Sequence, residues 1–449
     1  MPAQTRSEMN AEQFELAIMR GQGRALRHVL MHGAQGLEPV IFRACVQRSA
    51  NDPQCEPDRA PWLYQILQAS QMLESHAPRI LAALDQTEAG WDLDQLLELV
   101  ALMARDEVPG ASTAVAQRAL RLARETHDDH CGMAAWQSSE PLLASVSLAR
   151  VYGRRLLDQP SVSPNDLLAG RWSAERRAQI RSCLENAAEQ DADIVRYLQY
   201  LDTEALRSRT PRVSRALPGL ADIVRCARAK QGSHWQRYAL FGRRTASGDE
   251  LEQVLRLVIE ETDPQVRLRL LWVFWDARMP WLADEVLELS WGADQELAEA
   301  ALMAMSGVVH GKVRNLAVHL LSDHSAPKSL LAPAIALLIR NFQRGDSERV
   351  LAAIQATQLD EEQIHDIGCR LVEVCRDVTD IEVIRLLRWV YDSINCAMCR
   401  ESALRCWVEL QPLPEPLRAE CETDCYDEIR GLAARLASDP RLGHSPRLD

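Results

Sequence analysis

Signals for the start of a helix recur through the second half of the chain, at intervals of roughly 30–35 residues. The first is Asp263-Pro264, which directly precedes an apolar run. Asp and Asn side chains accept backbone N–H groups at a helix N-cap, and Pro fits the first helical position because no hydrogen bond is lost there. The other starts lie at Asp294, Ala326-Pro327, Asp360, Asn395 and Asp424. The spacing predicts two-helix units, which have little core alone and must stack on their neighbours.

Shorter amphipathic segments lie between these starts, at residues 281–289, 313–321, 349–356 and 383–391. Their apolar residues recur at three and four, as on one face of a helix. The order of helix, short turn and helix therefore repeats, and it predicts an all-α protein built as a solenoid.

The opening Asp263-Pro264-Gln265-Val266-Arg267 resembles the HEAT-repeat consensus, and Asp424 followed by Ile429-Arg430 is a looser version of it. The resemblance covers about residues 250–438. The last part, with Cys396-x2-Cys399-Arg400 and then Glu420-Cys421, is also similar to bacterial HEAT-type proteins without an assigned activity. This resemblance implies an α-solenoid (a superhelix) of HEAT-like two-helix repeats and no particular activity.

The domain organisation follows from where the regular pattern begins. Residues 1–248 show helical spacing without a fixed period, so we expect an irregular helical region of degenerate repeats. A soft boundary lies near residues 245–249. We expect the HEAT-like array over residues 249–438 and a flexible tail over 439–449.

Composition limits the class of protein. The chain has 449 residues, 47% of them hydrophobic and 26% charged, as is usual for folded soluble proteins. The N-terminus is polar, and no run approaches the ~18–20 apolar residues of a membrane span, so we expect a cytoplasmic protein with reduced cysteines and no membrane contact. The net charge of −13 argues against general nucleic-acid binding.

Cysteines concentrate near the C-terminus, where seven of the twelve follow residue 365. Cys396-x2-Cys399 and Cys421-x3-Cys425 are spaced like the two halves of a tetrathiolate zinc site. On helices, the same spacings place small side chains on one packing face, and this interpretation is favoured. A third alternative is a reactive thiol, because Cys396 and Cys399 lie at a predicted helix N-terminus beside Arg400.

A basic segment at residues 205–246 carries clustered arginines with Trp235 and Tyr238 between them. Such a cluster could bind an acidic protein partner or nucleic acid, and the plainer interpretation is a solvated face that pairs with acids elsewhere in the chain. The candidate partner-binding residues are Arg207, Arg209, Arg212, Arg215, Arg225, Arg228, Arg237, Arg243 and Arg244.

Motifs of common enzymes are absent from the sequence. It contains no Walker A loop, no Gly-x-Gly-x-x-Gly and no Gly-x-Ser-x-Gly. We therefore expect a non-enzymatic interaction scaffold that binds a protein partner. A zinc-binding or reactive-thiol module on the C-terminal cysteines is the first alternative, with zinc as its only expected cofactor. Nucleic-acid binding through the basic segment is the second.

Overall fold

A computed structural model describes most of the chain: residues 9–48, 56, 58–88, 90–125, 141–158, 167, 173–209, 218–230, 235–244, 246–323 and 325–438. Within these ranges the regular structure is helical and no strand occurs, so the predicted all-α class is confirmed. No helix in the described ranges combines the length and the apolar character needed to cross a bilayer.

The chain divides into two compact units. One contains residues Met1–Val213 together with Glu415–Arg435, and the other contains Ser214–Pro414 together with Leu436–Asp449. This division differs from the expected boundary near residue 248. It also groups residues 415–435 with the N-terminal helices rather than with the predicted array.

The first unit contains twelve of the described α-helices. They are α1 (Ala11–Met19), α2 (Gly23–His32), α3 (Glu38–Val46), α4 (Arg59–Ala69), α5 (Leu73–Gln86), α6 (Trp91–Arg105), α7 (Ala111–Glu125), α8 (Pro141–Asp158), α9 (Ala174–Ala188), α10 (Ala192–Arg209), α23 (Glu415–Cys421) and α24 (Asp427–Ser438).

The C-terminal segment of this unit packs closely against α2. A Cβ atom on Gly23 would lie 1.9 Å from the carbonyl oxygen of Glu420, so only glycine allows this approach. The Thr423 hydroxyl donates to the Gly23 carbonyl at 2.9 Å, and the Cys425 backbone N–H donates to the Gly21 carbonyl at 3.0 Å. Residues almost 400 positions apart therefore share one core, to which the Cys425 side chain belongs.

The second unit contains the remaining twelve described α-helices and three short 3-10 turns. The helices are α11 (Leu220–Arg228), α12 (Gln236–Arg244), α13 (Gly248–Glu260), α14 (Pro264–Leu271), α15 (Asp284–Leu289), α16 (Gln295–Met305), α17 (Gly311–Ser322), α18 (Leu331–Ala336), α19 (Asp346–Ala356), α20 (Glu361–Arg376), α21 (Ile384–Ser393) and α22 (Ala397–Leu410).

Several predicted helix starts are confirmed at the level of individual hydrogen bonds. The Asp263 carboxylate accepts the Gln265 N–H at 2.9 Å, and the Asp294 carboxylate accepts the Leu297 N–H at 3.2 Å. Asp360 and Gln363 form a reciprocal capping box. These caps satisfy N–H groups that have no partner within the helix.

Two starts differ in detail from the sequence prediction. After Pro327 the chain forms a 3-10 turn (Lys328–Leu330) and then only the short helix α18, which ends in i→i+3 hydrogen bonds from Leu338 and Ile339. At the fifth start the N-cap is Cys396 rather than Asn395. The N-cap residue of α22 therefore carries a thiol, although the sequence predicted an asparagine at this position.

Helices at alternate positions of the second unit contact one another. One series runs α14, α16, α18, α20 and α22, each contacting the next. In the other set, α13 contacts α15, while α17 contacts α19 and α19 contacts α21. The helices that concern the site below, α20 and α22, are thus direct neighbours with α21 beside both.

Candidate metal centre

The first half of the site lies on α20. The Asp360 capping box fixes where this helix begins, and His365 and Cys369 follow with one turn between them. Residues four apart on an α-helix lie on the same face, one above the other. The imidazole and the thiol therefore point in the same direction, and the His365 Nε2 atom lies 3.8 Å from the Cys369 Sγ atom.

The second half comes from the start of α22, where Cys396 is the N-cap and Cys399 lies in the first turn. The loop before it passes very close to α20. A Cβ atom on Gly368 would lie 1.7 Å from the Cδ1 atom of Ile394, two residues before Cys396. The absence of a side chain at Gly368 is therefore what lets this loop approach the helix of His365 and Cys369.

A buried arginine holds the same loop from the other side. Arg400 is fully buried, and its guanidinium donates to the backbone carbonyl of Asn395 at 3.0 Å. This charged group fixes the residue directly before Cys396. Outer contacts of this kind orient the side chains that bind a metal.

The four side chains lie close together, and His365 and Cys399 each contact or adjoin the other two. The Sγ atoms of Cys369 and Cys399 are 3.6 Å apart, and the Cys399 Sγ atom is 3.6 Å from the Nε2 atom of His365. The ligand atoms of His365, Cys396 and Cys399 all lie within 4.8 Å of one another. The cluster is half-buried, with Cys396 its most buried member.

The three separations among His365, Cys369 and Cys399 are close to the edges of a tetrahedral zinc site. With Zn–S bonds of about 2.3 Å and a Zn–N bond of about 2.0 Å, tetrahedral geometry places two sulfurs about 3.8 Å apart and a sulfur and a nitrogen about 3.5 Å apart. A disulfide would need a sulfur–sulfur distance near 2.05 Å, and all four of these residues lie outside any disulfide. His365, Cys396 and Cys399 therefore form a group that could hold a metal ion, and the Cys369 Sγ atom lies beside this group, 3.6 Å from that of Cys399.

The cysteines of the hydrophobic cores behave differently. Burial alone raises the pKa of Cys45 to about 12, and desolvation is also the main cause that raises the pKa of Cys375. Such thiols remain neutral packing groups. In the cluster, by contrast, hydrogen bonds from Cys399 and then from His365 lower the pKa of Cys369 to about 5 and that of Cys396 to about 4.

The other two groups of the cluster retain protons. Hydrogen bonds to Cys369 and Cys396 raise the pKa of His365 to about 10. The pKa of Cys399 is raised because hydrogen bonds with the sulfurs of Cys369 and Cys396, together with burial, favour its protonated form. The contacts within the cluster thus favour the thiolate forms of Cys369 and Cys396 and the protonated forms of Cys399 and His365.

The structure brings together only half of the zinc set that the sequence spacing suggested. Cys396 and Cys399 lie in the cluster, but Cys421 and Cys425 belong to the first compact unit. Both are buried there, at 1% exposure each, and the Sγ atom of Cys425 lies against Gly21 and Arg59. This burial is what the packing interpretation expects of the pair.

Sequence reasoning missed His365 and Cys369 as partners of Cys396 and Cys399. The signal that could have found them is the His365-x3-Cys369 spacing on a capped helix, since this places two ligands on one face. This spacing is common on helices. It indicates a candidate site here only because the loop before Cys396 brings further ligand atoms close to α20.

The described part of the basic segment forms ion pairs on the surface of the second unit. Arg225 pairs with Asp222, and Arg243 lies 3.5 Å from Asp276. Lys230 pairs with Asp263 at 2.7 Å. These contacts agree with an acid-pairing face. Arg228, Arg237 and Arg244 are exposed, the side chains of Arg207 and Arg209 are not among the described ones, and Arg212 and Arg215 lie outside the described residues.

Comparison of the chain with protein-family models, with curated proteins and with solved structures found no match.

Proposed function

We propose that this chain is a zinc-binding protein in which a Cys₃His centre links α20 to the start of α22. The observation that carries the proposal is the proximity of four ligand side chains. His365, Cys369 and Cys399 lie at separations close to tetrahedral edges, and the Cys396 Sγ atom lies within 4.8 Å of the ligand atoms of His365 and Cys399. Two of these ligands come from each helix. The metal would therefore connect two elements that otherwise meet only through side-chain packing.

The donor set favours zinc over the harder cations. Thiolates are soft ligands that select Zn²⁺, Cu⁺ or iron–sulfur clusters, whereas Mg²⁺ and Ca²⁺ prefer oxygen. Imidazole with three thiolates is a common structural zinc set. Because protein atoms fill all four positions, no position is left for substrate, and the centre supports folding rather than catalysis.

Metal analysis of the full chain tests the proposal directly. Protein purified without chelator should contain about one zinc per chain, because a closed site of this kind binds tightly. The Cys399→Ser and His365→Ala variants should lose most of it. Cys406→Ser is the matched control, because Cys406 lies on the same helix and is buried outside the cluster. Its zinc content should be unchanged.

Cobalt substitution separates loss of the site from general unfolding. Co²⁺ bound by three thiolates absorbs through sulfur-to-metal charge transfer, and the absorption should fall in steps as thiolate ligands are removed. A content below about a tenth of an equivalent of zinc in the wild-type chain would contradict the proposal. So would equal zinc content in the Cys399→Ser and Cys406→Ser proteins.

A second candidate function is the interaction scaffold that the sequence suggested, with the helices of the second unit as HEAT-like repeats. The contacts along α14, α16, α18, α20 and α22 support this, because stacked repeats bring equivalent helices of successive units together. A specific feature of the first unit also favours partner binding, namely an open groove that combines apolar and basic side chains.

A further inference from the structure

The groove lies on the first unit between α1, α2 and α23. It encloses about 360 Å³, within the range of sites that hold a ligand or an anchoring side chain. It is independent of the metal centre, which belongs to the second unit. The experiments that test the groove and those that test the metal centre therefore have independent outcomes.

The apolar part of the groove is unusually exposed. Leu16 on α1 is 47% exposed and Met31 on α2 is 56% exposed, and Met9 lines the same space. Large apolar side chains that share one exposed concave surface mark interaction sites more often than isolated ones do. Methionine is well suited to such a surface because its side chain adapts to the partner.

The rim of the groove is basic. Arg24, Arg27 and Met31 recur at three and four along α2, so they lie on one face, and Arg20 follows α1 at the same edge. The rings of His28 and His32 line the groove as well. Among the described lining residues Glu420 is the one carboxylate. The rim of the groove is therefore locally basic, although the whole chain has a net charge of −13.

Glu420 shows how the basic edge receives an acid carried by a helix. It lies on α23, its side chain is only 7% exposed, and its Oε1 atom is 2.6 Å from the Nε atom of Arg24. One turn further along α2, Arg27 reaches the neighbouring Ala419 carbonyl at 3.4 Å. A helix that approaches α2 with its acidic side is thus already present in the fold.

We propose that this groove docks an acidic amphipathic helix of a protein partner. Its apolar side chains would pack against Leu16 and Met31, and its carboxylates would lie along the edge formed by Arg20 and Arg27. An amphipathic helix fits because a groove between two helices offers apolar contacts at helical spacing. An anionic membrane or a nucleic acid is disfavoured, since a strongly acidic chain repels an extended anionic surface.

A synthetic peptide tests the proposal on the full-length, zinc-loaded chain. The probe is a fluorescein-labelled helical peptide with leucines at three- and four-residue spacing and glutamates on the flanks. The control peptide has lysine at every glutamate position. Fluorescence anisotropy should show binding of the acidic peptide and none of the basic one, with affinity that falls as salt rises.

Single substitutions test whether the peptide binds in this groove. Leu16→Asp and Arg27→Glu should each weaken binding by roughly tenfold or more, because central apolar and arginine contacts carry most of the binding energy. Leu30→Asp is the matched control, since Leu30 is 61% exposed on α2, the helix of Arg27, but does not line the groove. It should bind as the wild type does, and all variants should keep their helix content.

Three results would overturn the proposal. The first is no binding of the acidic peptide at low salt. The second is equal binding of the acidic and basic peptides, or equal affinity in the Leu16→Asp and Leu30→Asp proteins. The third is tighter binding to phosphatidylglycerol vesicles or to duplex DNA than to the peptide, with the same sensitivity to Arg27→Glu. That result would assign the groove to a membrane surface or a nucleic acid.

Discussion

The Sγ atoms of Cys369 and Cys399 lie 3.6 Å apart, although the two residues are 30 positions apart and belong to different helices. Both half-buried thiols also lie within hydrogen-bonding distance of the same imidazole, that of His365. The contact is explained if both sulfurs bind one ion. The predictions below test this arrangement and the close approaches that create it.

Zinc binding should release about two protons near pH 7. The pKa values of Cys369 and Cys396, about 5 and about 4, leave these thiols already ionised, whereas Cys399 and His365 must each lose a proton. The raised pKa of His365, about 10, means that protons compete with zinc throughout the neutral range. The association constant should therefore rise about a hundredfold per pH unit between about pH 5 and pH 10.

Calorimetry in buffers of different ionisation enthalpy counts these protons at one pH. Thiols at the ordinary value of 9.0 and a histidine at 6.5 would instead release about three protons at pH 7, nearly all from sulfur. A measured release near three would show that the two thiolates do not exist in the metal-free protein.

Gly368→Ala should weaken zinc binding even though alanine is the better helix former. Within a helix the exchange alone would stabilise by about 1 kcal/mol. Here the new Cβ atom would meet Ile394, which must move and carry the loop before Cys396 with it. Competition with a chromogenic chelator measures the affinity.

A compensating change makes this prediction specific. Ile394→Val removes the Cδ1 atom that would meet the new Cβ atom, so the Gly368→Ala/Ile394→Val double variant should regain most of the affinity. Gly311→Ala is the control, because a Cβ atom there meets nothing within 4 Å. Equal affinity in the Gly368→Ala and wild-type proteins would show that the approach of Ile394 does not position the site.

Hydrogen peroxide should expel zinc by oxidising the cluster. The thiolates of Cys369 and Cys399 would form one sulfur–sulfur bond, while peroxide and two protons give two molecules of water. With only two ligands left, zinc should leave at one ion per disulfide. A chromogenic chelator measures its release, and peptide mapping identifies the bond. A disulfide between Cys396 and Cys399, or zinc release with all thiols intact, would be the contrary result.

Gly23→Ala should separate the C-terminal segment from the first unit. Its Cβ atom would meet the backbone at Glu420 and Asp424, which cannot rotate away as a side chain can. We expect the free energy of unfolding to fall by about 3 kcal/mol. Thiol labelling should become faster at Cys425, which is 1% exposed in the intact unit. Gly248→Ala, with open space around its Cβ position, should leave the labelling rate unchanged.

Features with local causes could be predicted from the sequence. Asp263, Asp294 and Asp360 cap their helices as expected, because the bonds involved span only two or three residues. The sequence also offered Cys396 and Cys399 as a pair of zinc ligands, as an alternative to the favoured packing interpretation, because their spacing lies within one turn.

Features that depend on contacts between segments distant in the sequence could not be predicted. His365-x3-Cys369 and Cys421-x3-Cys425 have the same spacing, and nothing local decides which pair faces Cys396. The close packing of Gly368 against Ile394 lets the loop before Cys396 approach α20, and α20 is the helix that carries His365 and Cys369. The placement of Cys425 in the core of the N-terminal helices rests likewise on Gly23.

The contact between Gly23 and Thr423 also sets the order of events during synthesis. Its two partners are 400 residues apart, and ribosomes add about 5–20 residues per second. The helices of the first unit therefore wait roughly 20–80 s for the segment that completes their core. During this time the surface of α2 that α23 will cover stays exposed to solvent.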